Sequence, residues 1–182
     1  MRLPWLRLWD ASLQRELAAL RPRLYRLAYA WCHDPHLADD LAQEALTRAL
    51  AHGDQLKDAG RLSAWLFAIL NNCWRDHLRA RRDCCDVDTL DELIDEAQPG
   101  PEGAYASRQA ADRVRAAIGS LPLAQRQVLT LVDLEGLSYA ETAGVLGVPV
   151  GTVMSRLARA RESLRERLLR PQAQGVALRR VK

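Results

Sequence analysis

Residues 138–161 read SYAETAGVLGVPVGTVMSRLARAR, and the fold is decided here. Ser138 is followed three residues later by Glu141, the signature of a capping box at a helix start. A short helix is expected from Ser138 to Leu146, with the small Ala143 where a second helix must cross closely. Gly147 supplies a left-handed turn residue and Val148 plugs the core. The second helix is expected to start near Pro149–Gly151. Val153, Leu157, Ala160 and Leu164 recur at helical spacing as its buried stripe. Thr152, Ser155, Arg156 and Arg159 then face the other way, where a major groove would lie. Arginine forks pair bidentately with guanine edges, and seryl or threonyl hydroxyls suit phosphates or mixed base contacts. Arg161, Arg165 and Arg167 extend the basic face toward backbone phosphates. A helical hairpin with a solvated arginine face would share these arginines. The capping box, turn glycine, small crossing residue and basic face occur together, however, and they point to DNA.

Outward from this motif the chain reads as helix almost throughout. Alternating β-branched runs and Asn-Gly hairpin turns are lacking, and there is one Phe in 182 residues. Leu13, Leu17 and Leu20 begin a stripe that Leu24, Leu27, Ala28 and Trp31 carry on after Pro22. Asp34-Pro35 supplies a cap and a proline at the first helical position. Leu37, Leu41, Ala42, Ala45, Leu46 and Ala49 follow as an apolar face, ended by Gly53. A helix of about residues 61–82 has Leu62, Trp65, Leu66, Ile69, Cys73 and His77 inward. Arg61, Asn72, Arg75, Arg79 and Arg82 line its other side. Val114, Ala117, Ile118 and Leu121 mark one more helix. Pro122 opens another, containing Val128, Leu129, Val132 and Leu134 and ended by Gly136.

Charge separates sharply along the chain. Nine basic residues face two acidic ones from Gly151 to Lys182, whereas Asp83 to Gly103 holds eight acidic residues and no basic one. The basic end seeks polyanions; the acidic stretch avoids or imitates one. With Pro99-Gly100-Pro101 in it, residues 83–104 read as an extended acidic linker. The expected organisation is all-α: a first helical domain at 10–82, the linker, a second domain at 105–170 and a basic tail at 171–182. No run approaches the roughly 20 apolar residues that span a bilayer, and residues 1–10 lack the apolar core of a signal peptide. A cytoplasmic location is expected.

Enzyme chemistry finds little support. There is no phosphate-binding glycine loop, no HExxH and no nucleophile elbow, and the four histidines (His33, His36, His52, His77) are scattered. The four cysteines (Cys32, Cys73, Cys84, Cys85) have no zinc-finger spacing. Cys32, His33 and His36 are split by Pro35, which argues against two metal ligands on one helical face. No catalytic, cofactor-binding or metal-ligating residue and no small-molecule substrate are expected.

Three segments in order resemble the sigma-70 family of bacterial initiation factors. Asp39-Asp40-Leu-Ala-Gln43-Glu44 looks like the region-two helix that grips the beta-prime clamp helices of core RNA polymerase. Leu62-Ser-Ala-Trp65-Leu-Phe-Ala-Ile with Asn72 and Asp76-His-Leu-Arg-Ala-Arg-Arg82 is similar to the helix and basic tail that read the minus-ten element. Leu121-Pro-Leu-Ala-Gln-Arg126, Glu135-Gly-Leu-Ser-Tyr-Ala-Glu141 and residues 150–161 look like region four, which reads the minus-thirty-five element. Two regions without the domain between them resemble the extracytoplasmic-function class.

The resemblance implies the partners and the site residues. Partners are core polymerase (beta-prime clamp helices and beta subunit), promoter DNA, and an anti-sigma factor, often membrane-tethered in the family. It places polymerase contacts at Asp39, Asp40, Gln43 and Glu44. Minus-ten contacts fall at Lys57, Arg61, Asn72, Arg75, Arg79 and Arg82, with a flipped base taken by the loop 54–60. Upstream-element contacts fall at Thr152, Ser155, Arg156, Arg159, Arg161 and Arg165. Met154 and Ala158 depart from the polar or larger side chains common in the family. Trp65, on the inward stripe, reads as core. An acidic linker suits a basic polymerase channel, and it predicts two domains that move independently until a partner clamps them. A DNA-binding regulator whose first 82 residues sense a ligand or dimerise is the rival; the basic stripe on residues 61–82 and the acidic patch at 39–44 fit polymerase and promoter better.

Overall fold

A computed structural model describes residues 11–56, 58–84 and 105–169. Among them are helices and turns and no strand. The first bundle is α1 (Ala11–Cys32), α2 (Pro35–Ala51) and α3 (Leu62–Cys84); the second is α4 (Tyr105–Gly119), α5 (Leu123–Leu129), α6 (Tyr139–Leu146) and α7 (Val150–Leu169). Lys57, the segment 85–104 that makes up nearly all of the expected linker, and the tail from 170 onward lie outside the described residues.

Local sequence explains the corners. Asp34 caps α2: its Oδ1 accepts the N–H groups of His36 and Leu37 at 2.8 and 3.1 Å, and Pro35 occupies the first turn. That turn folds α2 back on α1, burying Ala38, Leu41, Ala42, Ala45 and Ala49 against Leu17, Leu24 and Leu27. Alanines let the two helices approach closely, while α3 fills the remaining face with Leu62, Leu66, Phe67, Leu70, Cys73 and Trp74. Phe67 and Trp74 are thus the buried aromatics of α3, and Trp65, expected in the core, is only half-buried. Helix α1 runs unbroken through the exposed Pro22. After α5 the backbone widens into a π-helical turn, Thr130–Leu134. The widening leaves Leu134, read as one of the apolar residues of that helix, 62% exposed.

The two bundles are docked against each other among the described residues. Apolar residues of both belong to one continuous core. Polar contacts from three residues of the first bundle stitch them. Trp31 Nε1 donates to Thr130 Oγ1 at 3.0 Å in a buried setting. Asn71, also buried, donates from Nδ2 to the Val145 carbonyl at 3.1 Å and accepts from Gln127 Nε2 at 3.2 Å. Arg23 Nε meets the Glu135 carboxylate at 2.6 Å, with its guanidinium 5.5 Å from the centre of the Phe67 ring. These partners lie 56 to 112 residues apart, so the docking is set by tertiary packing and not by chain neighbours.

The Glu135 side chain is 6% exposed, so losing its partner strands a buried charge. Arg23→Met is expected to weaken docking by about 1–3 kcal/mol. Small-angle scattering should then show a larger radius of gyration with unchanged helical circular dichroism. An unchanged radius would show that the ion pair does not hold the bundles together.

Candidate nucleic-acid and protein interfaces

The second bundle presents its helix-turn-helix outward. Ser138 Oγ accepts the Glu141 N–H at 3.2 Å, and the Glu141 carboxylate accepts the Ser138 N–H at 2.9 Å, so the capping box is complete. The Ser138 hydroxyl donates to the same carboxylate and, with the backbone bond, holds the Glu141 carboxyl below its ordinary pKa. Gly147 adopts φ +67°, a left-handed conformation in which a Cβ would be strained. The Val148 N–H then closes the turn on the Ala143 carbonyl at 3.1 Å. Ala143 is buried at the crossing, and Val153, Leu157 and Ala160 form the buried stripe of α7, with Leu164 half-buried beside them.

The outer face of α7 carries most of the expected readers. Ser155 and Arg159 are exposed, Thr152 and Arg156 are half-buried along one edge, and Ser155 Oγ donates back to the Thr152 carbonyl at 3.1 Å. Met154, 53% exposed, and Ala158 share this face. Arg161 lies along the opposite edge, clasped by Asp133 of the π turn at 2.6 and 3.1 Å. This forked pair raises the guanidinium pKa and occupies the group that would meet phosphate. Arg165 and Arg159 have no hydrogen bond or ion pair among the described residues.

On the first bundle, Asp58 accepts the Gly60 N–H at 2.9 Å and starts the 3-10 turn Ala59–Arg61 that leads into α3. Arg61 sits 3.7 Å from Asp58, and Asn72, Arg75 and Arg79 are exposed farther along α3. Arg79 Nη1 reaches Asp76 at 3.4 Å. The Arg82 side chain and Lys57 lie outside the described residues. Helix α6 lies along this same side of α3, over Ala64, Ala68 and Asn71 and between Arg61 and Arg75. A cavity of about 500 Å³ remains between them, walled by Leu56, Trp65, Ala68, Ala140, Gly144 and Val145. Gln55 and Asp58 of the loop 54–60 also line it. The described residues of the expected minus-ten strip, Arg61, Asn72, Arg75 and Arg79, stay exposed beside it.

The acidic patch sits on α2. Asp40, Gln43 and Glu44 are exposed, and Asp39 is half-buried. Asp39 accepts from Arg21 at 2.6 Å and from Gln43 Nε2 at 2.7 Å. Glu44 pairs with Arg48 at 2.7 Å, and Arg48 also reaches Asp76 on α3 at 2.9 Å. A chain of charges thus ties the patch to the basic strip. Asp40 has no such partner among the described residues, which leaves it the least encumbered acid of the four.

Two interface residues escaped the sequence reading. Asn71 was passed over for its neighbour Asn72; the doubled amide is the signal, since adjacent helical positions face different surroundings. Arg126, 7% exposed, is a buried cation in what reads as an ordinary polar helix start. Burial pushes up the thiol pKa of Cys32 and of Cys73, so neither is a ready thiolate. Among the described residues no three acidic, histidine or cysteine side chains are placed to hold a metal ion, and no helix is long and apolar enough to cross a membrane.

Comparison with known proteins fits both halves of this geometry. The Sigma-70 region 2 family model matches residues 17–83, and the Sigma-70, region 4 model matches residues 111–164. The extracytoplasmic-function RNA polymerase sigma factor EcfG of Rhodopseudomonas palustris is 38% identical over 154 residues, covering 84% of this chain and 83% of that protein. The sigma factor RpoE of Bartonella quintana, solved with the anti-sigma factor NepR, superposes with a TM-score of 0.66 at 29% identity over 86% of this chain and 96% of that one. CnrH, solved with the cytosolic domain of CnrY, gives 0.60 at 28% identity over 87% and 88%. Two helical bundles with these matches define a transcription initiation factor. The chain belongs to the extracytoplasmic-function sigma factors of the sigma-70 family.

Freeing Arg161 from its clasp is expected to add a phosphate contact. Asp133→Ala should steepen the salt dependence of binding to a mixed-sequence duplex by about one unit of slope, read by fluorescence anisotropy across a salt series. An unchanged slope would leave Arg161 as a structural partner of the π turn.

Proposed function

We propose that this chain is an alternative sigma factor that docks on core RNA polymerase through α2 and reads promoter DNA with α3 and α7. It is not an enzyme and needs no cofactor. Its place is the cytoplasm, and an anti-sigma factor holds it inactive until a stress signal. The observation that carries this reading is the pairing of two outward basic faces, one per bundle, with a separate acidic patch on α2. Such a chain can touch two DNA elements while a third surface holds a protein. Residues 10–82 serve as region two, 83–104 as the linker, 105–170 as region four and 171–182 as a basic tail.

Within this reading Asp40, Gln43 and Glu44 present acid and amide groups to basic clamp helices, with Asp39 bracing Gln43 from behind. Arg61, Asn72, Arg75 and Arg79, with Lys57 and Arg82, contact the minus-ten element, and the loop 54–60 receives a base there. Ser155 and Arg159, flanked by Thr152 and Arg156, enter the major groove at the upstream element; Arg165 holds phosphate, and Arg161 can join it once its Asp133 clasp opens. Polymerase holds each bundle at its own promoter element.

Asp40→Arg with Glu44→Arg is expected to lower co-purification with core polymerase by tenfold or more while helical content stays intact; full retention would remove α2 from the interface. On the DNA side, Arg159→Ala should cost about 1–3 kcal/mol at one base pair and relax specificity there. Arg165→Ala should weaken all sequences alike and flatten the salt slope by about one. Identical sequence profiles and slopes for the two variants would contradict this division of roles.

A further inference from the structure

The joint between the bundles holds a second cluster that DNA reading does not use. His33 follows α1 at φ +57°, a conformation uncommon for a side-chain-bearing residue. Its ring is wedged against the end of α4: a Cβ placed on Gly119 would lie 2.8 Å from the His33 ring carbon Cε1. Only glycine leaves room there, and the ring cannot swing that way without moving α4. His33 Nε2 is buried with no hydrogen-bond partner, and so are Arg126 Nε and Nη1.

The groups facing His33 make a cation unwelcome. From α5 comes Arg126, and from α1 comes Tyr29, edge-on with ring centres 6.1 Å apart. Asp34, next in sequence, is the nearby acid, but its Oδ1 is already committed to the His36 and Leu37 N–H groups. The end of α4 brings no charged side chain, only Gly119 and Ser120. A proton taken up by His33 would therefore place a second charge beside Arg126 in a joint whose nearby acid, Asp34, lies exposed at its edge and caps α2.

We propose that this joint makes the docked arrangement acid-labile, so that protonation of His33 releases the second bundle from the first. The proposal deepens the sigma-factor reading by adding a control on its two-bundle geometry. Desolvation, and then the Arg126 charge, lower the His33 pKa in the docked form. A lowered base is a stabiliser of docking only while neutral. Docking is thus fully favoured above the ordinary histidine value, about 6.5, and weakens as the pH falls from there toward the docked value. His36 and His52 are exposed, and His77 stacks on Trp74 inside the first bundle.

The test is small-angle scattering on the full chain from pH 8 to pH 5.5 at fixed ionic strength, with no DNA or polymerase present. The radius of gyration should rise on acidification, the open-to-docked ratio growing by at most about tenfold per pH unit for one linked proton. His33→Gln should abolish that rise and His77→Gln should keep it. Arg126→Met should shrink it by removing the facing cation, and so serves if His33→Gln fails to fold by circular dichroism. A radius independent of pH, or a rise persisting undiminished in His33→Gln or in Arg126→Met, would overturn the proposal. Because the readout is domain separation, such a result leaves the sigma-factor reading standing, whereas loss of polymerase binding would sink that reading alone.

Discussion

Everything about this molecule's accessible surface depends on the buried joint between its two bundles. Trp31 crosses from α1 to bond Thr130, Asn71 crosses from α3 to bond α5 and α6, and Arg23 reaches Glu135. Removing an apolar residue from water stabilises in proportion to area, and this core runs through both bundles. The polar contacts matter for another reason. Each is made by a buried group that would be costly to leave unpaired, so they fix how the bundles sit. That register places α6 on the side of α3 that carries Arg61, Asn72 and Arg75.

The joint is not uniformly favourable. Beside its satisfied bonds it buries Arg126 with two guanidinium nitrogens unpaired and His33 with an unpaired ring nitrogen. A protein meant to stay closed would gain by filling such positions with apolar side chains. A joint with both strong and costly elements has a docking equilibrium that a partner can shift. A partner that binds the bundles separately and one that holds them together would shift that equilibrium in opposite directions.

Local features of the fold were legible in the sequence, and those that depend on distant contacts were not. The capping box at Ser138, the turn at Gly147, the cap at Asp34 and the stripe of Val153, Leu157 and Ala160 each depend on residues within one or two helical turns. Trp65, read as core, is half-buried and packs against the core from its side, because α3 is apolar on more than one face. Phe67, Leu70 and Trp74 take the inward direction, and Trp65 turns toward the cavity under α6. The basic faces could be read from spacing alone, but not that Asp133 clasps Arg161 or that α6 packs on α3 beside the strip. Those facts arise from pairs 28 to 112 residues apart, beyond any periodicity.

Transcription in vitro with purified bacterial core polymerase tests the central claim most directly. With fragments of the source genome as template, adding this chain should produce transcripts that start at a small set of discrete positions sharing two upstream elements. Omitting the chain should leave only non-specific initiation. Transcripts that are unchanged by the chain, or DNA binding without any initiation by core polymerase, would contradict the assignment and favour an ordinary DNA-binding regulator.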